Sequence, residues 1–357
     1  SSNAAFGHNA LTSNTTASEN TAIGQSALNN NTTGDNNTAV GAYALYSSEE
    51  VSGLTAIGYR ALYSNTTGTY NIAMGDDALY SNTTGDYNLA IGSRALYYLD
   101  GNYYNLAIGT NALENNVANF NIAVGYQAMQ SNTTGKYNAA FGYEALTSNT
   151  TGGRNSAFGL NALTNNTVGE WNSAFGKAAL AENISGESNT AIGEIAMLNN
   201  TTGSFNTALG RRAMLSNTTA DNNVAIGFDT LYSNTTGANH TAVGTQALYN
   251  NTTGENNTAT GYQALYSNTT GKQNTASGSY ALYSNTTGEY NTAMGYQAMF
   301  KNTAGKQNTA FGQRSLYTNT TGNYNTGVGM YALYANTTGS NNTAIGQLAM
   351  RFNTTGG

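Results

Sequence analysis

The sequence predicts an all-β chain, a parallel β-solenoid or β-roll of about 21 coils. Each coil is about 17 residues long and is expected to hold two short strands. Three observations carry this. One unit recurs along the whole chain, beginning at Asn3, Asn20, Asn37, Leu54, Asn71 and so on to Asn325 and Asn342. Within the unit, counted 1 to 17 from its leading Asn, a few small or apolar positions barely vary. Between them lie two brief segments separated by turn formers, too short for a helix pair.

Position 1 is Asn in nearly every copy, and it opens the first segment, as in Asn20 to Gly24. Position 3 is Ala except at Gly327, and position 5 is always Gly. Position 4 holds Ile, Val, Leu, Met or Phe, but also Thr260 and Ser277. Either face of this segment can point inward, because a shift of one residue reverses every side chain. Position 8 is Ala except at Thr230 and Ser315, and position 9 is Leu or Met throughout. The second segment is Ala-Leu-Tyr-Ser, as in Ala61 to Ser64. A disordered linker has no reason to hold Leu at one place in each unit, whereas a buried column has. Leu62, Leu79, Leu96, Leu265 and Leu282 are therefore expected to pile up in the core.

Positions 12 to 15 read Asn-Thr-Thr-Gly in most copies and suit a tight turn. One coil cannot fold alone. Burying its two large apolar side chains contributes roughly 3 to 6 kcal/mol, while ordering its backbone costs about 1 to 2 kcal/mol per residue. Stacking closes the gap. Successive coils would lie about 4.8 Å apart, giving a rod roughly 100 Å long. In-register stacking would also align the Asn residues at 1 and 12 into amide ladders. Position 10 would form an aromatic column through Tyr232, Tyr249, Tyr266, Tyr283, Phe300, Tyr317 and Tyr334. Position 17 would form a second, broken one through Tyr70, Tyr87, Tyr104, Phe120 and Tyr137. Packing explains such columns, and so would an oligomer interface or a sugar-binding strip.

Composition narrows the function. Charged residues are 8% of the chain and the net charge is −6, so nothing favours nucleic acid or an anionic membrane. The absence of Cys excludes disulfides and thiolate metal sites, and the absence of Pro suits unbroken strands. No apolar run approaches membrane-spanning length, and no signal peptide is recognisable. Residues 1–357 read as a single array, opening at Ser1-Ser2 and stopping at Gly356-Gly357 without caps, as an excerpt of a longer fibre would.

Three copies depart from the turn pattern: Ser48 to Gly53, Leu99 to Asn102, and Glu114 to Asn119, the last one residue short. Turn drift accounts for them, with a contact site for another chain as the sharper alternative. Trp171 falls in the position-17 column, where packing accounts for it.

The recurrent chemical signal is the sequon Asn-x-Ser/Thr at position 12. It occurs at Asn14, Asn31, Asn65, Asn82, Asn132, Asn149, Asn183, Asn200, Asn217, Asn234, Asn251, Asn268, Asn285, Asn319, Asn336 and Asn353. Occupied sites would place a row of sugars along one edge. Asn166 and Asn302 keep the turn without the sequon, which favours turn geometry as the primary constraint. Catalysis finds no support: His8 and His240 are the only histidines, and they assemble no triad. The acids at position 16, such as Asp35, Asp86, Glu170, Glu187, Glu255 and Glu289, read as solvated single charges, without the dense Asp-and-Gly pattern of calcium-binding β-rolls. No cofactor and no metal are expected.

The run Asn-Thr-Ala-Ile-Gly-x-x-Ala-Leu, at Asn20 to Leu28 and again at Asn189 to Met197, resembles the head repeats of trimeric autotransporter adhesins. With its Asn-Thr-Thr-Gly block the unit is more similar still to repeats of phage and bacterial tail-fibre-like proteins. The resemblance implies a left-handed roll, three chains to a head, and a place outside the cell or on a cell or virion surface. The block is an extra turn that the adhesin unit lacks. The function expected is that of a structural fibre or adhesin shaft, not an enzyme. It would self-associate as a homotrimer or head-to-tail filament, carry N-glycans along one edge and bind surface glycans. The alternatives are a carbohydrate-binding module using the Tyr columns, or an ice-binding solenoid displaying its Thr pairs.

Overall fold

The computed structural model describes residues 2–356; Ser1 and Gly357, at the array's expected open ends, lie outside them. Among the described residues there are strands and turns and no helix. The chain is a parallel β-solenoid with about 17 residues per turn. It divides into two compact units, the first ending at Asn172 and the second starting at Ser173.

In the first unit, ten three-residue strands run from Ala4–Phe6 (β1) to Ser156–Phe158 (β10). Each lies parallel to the next with equivalent positions opposed, for example Thr55 to Ile72, Ala56 to Ala73 and Ile57 to Met74. The short seventh copy does not break this, because Leu106 still pairs with Ile122. In the second unit, eleven strands run from Ser173–Phe175 (β11) to Thr343–Ile345 (β21), again opposed like to like, as Thr258 to Thr275 and Ala259 to Ala276.

The strand occupies positions 2 to 4 only, so each lap has one strand where two were expected. The second segment is a ladder of stacked turns. Its Ala and Leu are both fully buried, as at Ala61 and Leu62. Neighbouring residues of a strand point to opposite faces, so a strand cannot bury both. The chain instead curls by placing positions 7 and 9 in the left-handed region, as at Arg60 (φ 52°) and Leu62 (φ 50°). Hydrogen bonds to the neighbouring lap survive this. In the lap starting at Asn274, the N–H groups of Thr275, Leu282, Ser284 and Thr286 donate to the next lap at 2.8, 3.0, 3.1 and 2.9 Å. Those of Gly278 and Tyr290 donate to the preceding one at 2.8 and 3.1 Å.

The parity left open by the sequence is resolved by the leading Asn. Its side chain points inward, so Ala at 3 follows it in and positions 2 and 4 face out. Ala22 and Ala39 are fully buried, whereas Ile23 is 42% exposed and Ile192 is 43% exposed. The interior is thus Ala, Ala and Leu on one side and Asn on the other. Leu62, Leu79 and Leu96 in the first unit, and Leu265 and Leu282 in the second, are fully buried.

Candidate functional site

The chemistry-bearing side chains fall into two sets, amides inside the coil and aromatic rings outside it. The amides meet on one atom, the position-15 carbonyl oxygen. In the lap starting at Asn274, the Asn274 Nδ2 donates to the Gly288 oxygen at 2.8 Å and the Asn285 Nδ2 donates to the same oxygen at 3.1 Å. Each amide also reaches the next lap. Asn285 Nδ2 donates to Asn268 Oδ1 at 2.8 Å, and Asn302 Nδ2 donates to Asn285 Oδ1 at 2.8 Å. At position 1, Asn274 Oδ1 accepts the Asn291 backbone N–H at 3.0 Å. Buried polar groups are stable when every one is bonded, and two columns sharing one acceptor achieve that.

This geometry overturns the glycan row. Asn31, Asn65, Asn82, Asn132, Asn149, Asn183, Asn200, Asn217, Asn234, Asn251, Asn268, Asn285, Asn319 and Asn336 are fully buried. The nitrogen that would carry the sugar is a donor inside the coil. Asn14 and Asn353, in the outermost laps, are half-buried and turned the same way, Nδ2 toward Ala17 and Gly356 oxygens at 3.4 Å each. A sugar on any of these nitrogens removes a buried donor and parts the laps.

The column has two marked substitutions. In the copy starting at Asn37, Ser48 stands at position 12 and is too short to bridge. Its Oγ and the Asn31 Oδ1 are buried without partners. Ser48→Asn is therefore expected to stabilise the first unit by about 1 to 2 kcal/mol, read as a shift of the urea midpoint. In the copy starting at Asn88, Leu99 fills position 12 and is fully buried, so its turn departure is an apolar rung in the column. In the short copy, Asn116 keeps the role by donating to the Ala118 oxygen at 2.8 Å.

His240 replaces Asn at position 1 and reproduces its bonds. Its Nε2 lies 2.8 Å from the Gly254 oxygen, and its Nδ1 accepts the Asn257 N–H at 3.2 Å, which places the proton on Nε2. Burial pushes its pKa down to about 4 from 6.5. The unfolded chain then binds the extra proton between those values, so stability rises with pH there. The contribution is fully present above pH 6.5 and is lost as pH falls towards 4, amounting to about 3 kcal/mol. Hydrogen exchange of the laps around His240 across that range measures it, and His240→Asn is expected to abolish the pH dependence.

The position-10 column is stacked as expected. From Tyr232 to Tyr334, through Tyr249, Tyr266, Tyr283, Phe300 and Tyr317, successive rings lie 5.0 to 5.3 Å apart and within 9° of parallel. All are half-buried, and desolvation raises the pKa of Tyr249. The first unit has its own such column at Tyr46, Tyr63, Tyr80 and Tyr97. The position-17 column is the exposed one: Tyr70, Tyr87, Tyr104 and Tyr137 are 60, 49, 53 and 53% exposed. Trp171 is 55% exposed, so burial does not account for it. The neighbouring rung is Arg154, whose guanidinium lies 4.5 Å from the Trp171 ring centre.

Several position-16 acids are bonded rather than merely solvated. Asp35 accepts the Ser18 N–H at 2.6 Å and Asp86 the Thr69 N–H at 2.7 Å, each on the preceding lap. Glu255 and Glu289 pair with Lys272 and Lys306 at 3.4 and 3.0 Å. The departed turn of the third copy lines an open groove of about 450 Å³ with Glu49, Glu50, Val51 and Ser52, facing Thr66, Thr67 and Thr69. His8 is exposed. Among the described residues no group of three His, Cys, Asp or Glu is placed to hold a metal, and no helix is long and apolar enough to cross a membrane.

No protein-family model matches this chain, and no curated protein matches it.

Proposed function

We propose that the array is the shaft of an extracellular fibre or adhesin, a structural element of a cell or virion surface that assembles with copies of itself and has no catalytic task. The outward strand face carries this reading. Positions 2 and 4 hold no charged residue in any lap. Position 4 exposes Ile23, Met74, Phe175, Ile192, Ile226, Met294 and Phe311, each between 37 and 43%. Like residues lie opposite one another along each ladder, so the face repeats at the lap spacing. A second copy has the same spacing, and two such faces can mesh as the sheets of a sandwich do. The resemblance of Asn20 to Leu28 to adhesin head repeats supports the same reading.

The alternatives draw less support. The position-10 rings cover one another's faces, leaving little for a sugar to stack on. The first Thr of each pair spends its hydroxyl on the next lap, as Thr269 Oγ1 donates to the Thr286 oxygen at 3.1 Å, so it is not free to order ice.

Light scattering tests the proposal. The intact chain is expected to run as an oligomer. Ile91→Glu with Ile108→Glu, on the outer face, is expected to give monomers with an unchanged far-ultraviolet spectrum. A monomeric parent chain, or an oligomer indifferent to both charges, sinks the proposal.

A further inference from the structure

The backbone at position 16 is built to bond a carboxylate. In several laps its N–H donates to the short side chain at 16 of the next lap. Ser18 and Thr69 give theirs to the carboxylates of Asp35 and Asp86 at 2.6 and 2.7 Å, and Ser204 gives its own to Asp221 at 2.7 Å. The Ser18 and Thr69 hydroxyls donate to the same carboxylate oxygens at 3.2 and 2.8 Å.

At Lys136 the ladder keeps the donor and lacks the acceptor. Position 16 of the next lap is Gly153, which has no side chain. A Cβ there would lie 3.1 Å from the Lys136 oxygen and 3.8 Å from its nitrogen, so a side chain at 153 would start against the Lys136 backbone. The Lys136 N–H has no hydrogen-bond partner among the described residues. Beside Gly153 runs a groove of about 190 Å³ lined by Lys136, Arg154, Thr134, Thr151 and Glu170. Its charge is positive on balance. Lys136 makes no ion pair among the described residues, and the Arg154 guanidinium, 4.5 Å from the Trp171 ring centre, is 3.9 Å from Glu170, beyond a hydrogen bond. The hydroxyls of Thr133 and Thr150 donate to the next lap at 2.9 and 3.0 Å, but those of Thr134 and Thr151 make no bond among the described residues.

We propose that this groove binds a carboxylated sugar, its carboxylate standing over Gly153 as the carboxylates of Asp35 and Asp86 stand in their own laps. The carboxylate accepts the Lys136 N–H and lies beside the Lys136 ammonium and the Arg154 guanidinium, so its bonds are charge-assisted. The free hydroxyls of Thr134 and Thr151, one lap apart, face the sugar's own hydroxyls. The site lies in the turn, not on the outward strand face, and does not depend on self-association.

Glucuronate is the probe, titrated into the full-length chain at a concentration where light scattering does not change. Trp171 is the only Trp and lies against Arg154, so its fluorescence reports occupancy, and calorimetry gives the affinity independently. Saturable binding is expected, weakening with added salt. Glucose is expected not to bind, and acetate to bind at least tenfold more weakly. Gly153→Asp, which gives this lap the residue of Asp35 and Asp86, is expected to keep the fold and abolish glucuronate binding. Should it disturb the turn, Lys136→Gln leaves the backbone donor in place and is expected to weaken binding severalfold. The absence of glucuronate binding by the folded chain overturns the site. So does binding indifferent to both variants, or glucose binding as tightly as glucuronate. Acetate binding as tightly as glucuronate overturns the sugar.

Discussion

Asn285→Asp is expected to destabilise the second unit by ~3 kcal/mol or more at neutral pH, although it keeps the side chain's size and shape. The Asn285 Nδ2 faces two acceptors, the Gly288 oxygen and the Asn268 Oδ1. A carboxylate there turns both contacts repulsive and buries a charge. Its folded-state pKa is raised, so the loss is least in acid, where a protonated Asp can donate, and it grows as pH rises through the ordinary carboxylate range. Asn285→Ala is expected to cost less, about 2 to 3 kcal/mol, for one orphaned Oδ1 and a small cavity. Asn285→Leu is expected to cost least, because the chain already buries Leu99 at this position and Leu54 at position 1. Urea unfolding at pH 4 and pH 7 checks the order. Equal costs for all three variants would mean that the amide column does not hold the laps together.

The second large effect is expected at position 5. Gly261 has φ +132°, a conformation L side chains rarely adopt. A Cβ there would lie 2.7 Å from the Gly278 carbonyl carbon and 2.8 Å from its oxygen, on the next lap. Both are backbone atoms, so relief requires the laps to part. Gly261→Ala is expected to cost ~3 kcal/mol or more and to open the coil locally, measured by proteolysis and hydrogen exchange around Gly261 and Gly278. Position 15 is the control. It is also tight, but the chain tolerates Ala220 and Ala118 there, both buried. Gly254→Ala is therefore expected to cost clearly less than Gly261→Ala, and the opposite order would contradict this account of the stacking.

Much of this architecture was legible in the residues. Invariant Gly at 5 marked a place where no Cβ fits, and Leu or Met at 9 marked a buried column. The second segment reads as a strand and is not one; the signal available was Ala at 8 in all but two laps beside Leu or Met at 9, two small or apolar neighbours that a strand cannot both turn inward. The sequon misled because Asn-Thr-Thr-Gly suits an exposed turn as well as an inward amide that bonds its own turn. Exposure at the rings was likewise not legible: Tyr283 and Tyr290 lie seven residues apart in one lap, and only the second is more than half exposed.

The sequence by itself determined the lap length, the stacking of like on like and the small-residue side of the core. It could do so because every lap's neighbour is another copy, so periodicity along the chain is periodicity in space. Only the tertiary structure decided which way Asn points, and with it the outward turn of position 4 and the loss of the glycan row. An amide is stable inside only when the laps above and below complete its bonds, and that depends on their three-dimensional spacing rather than on any single residue.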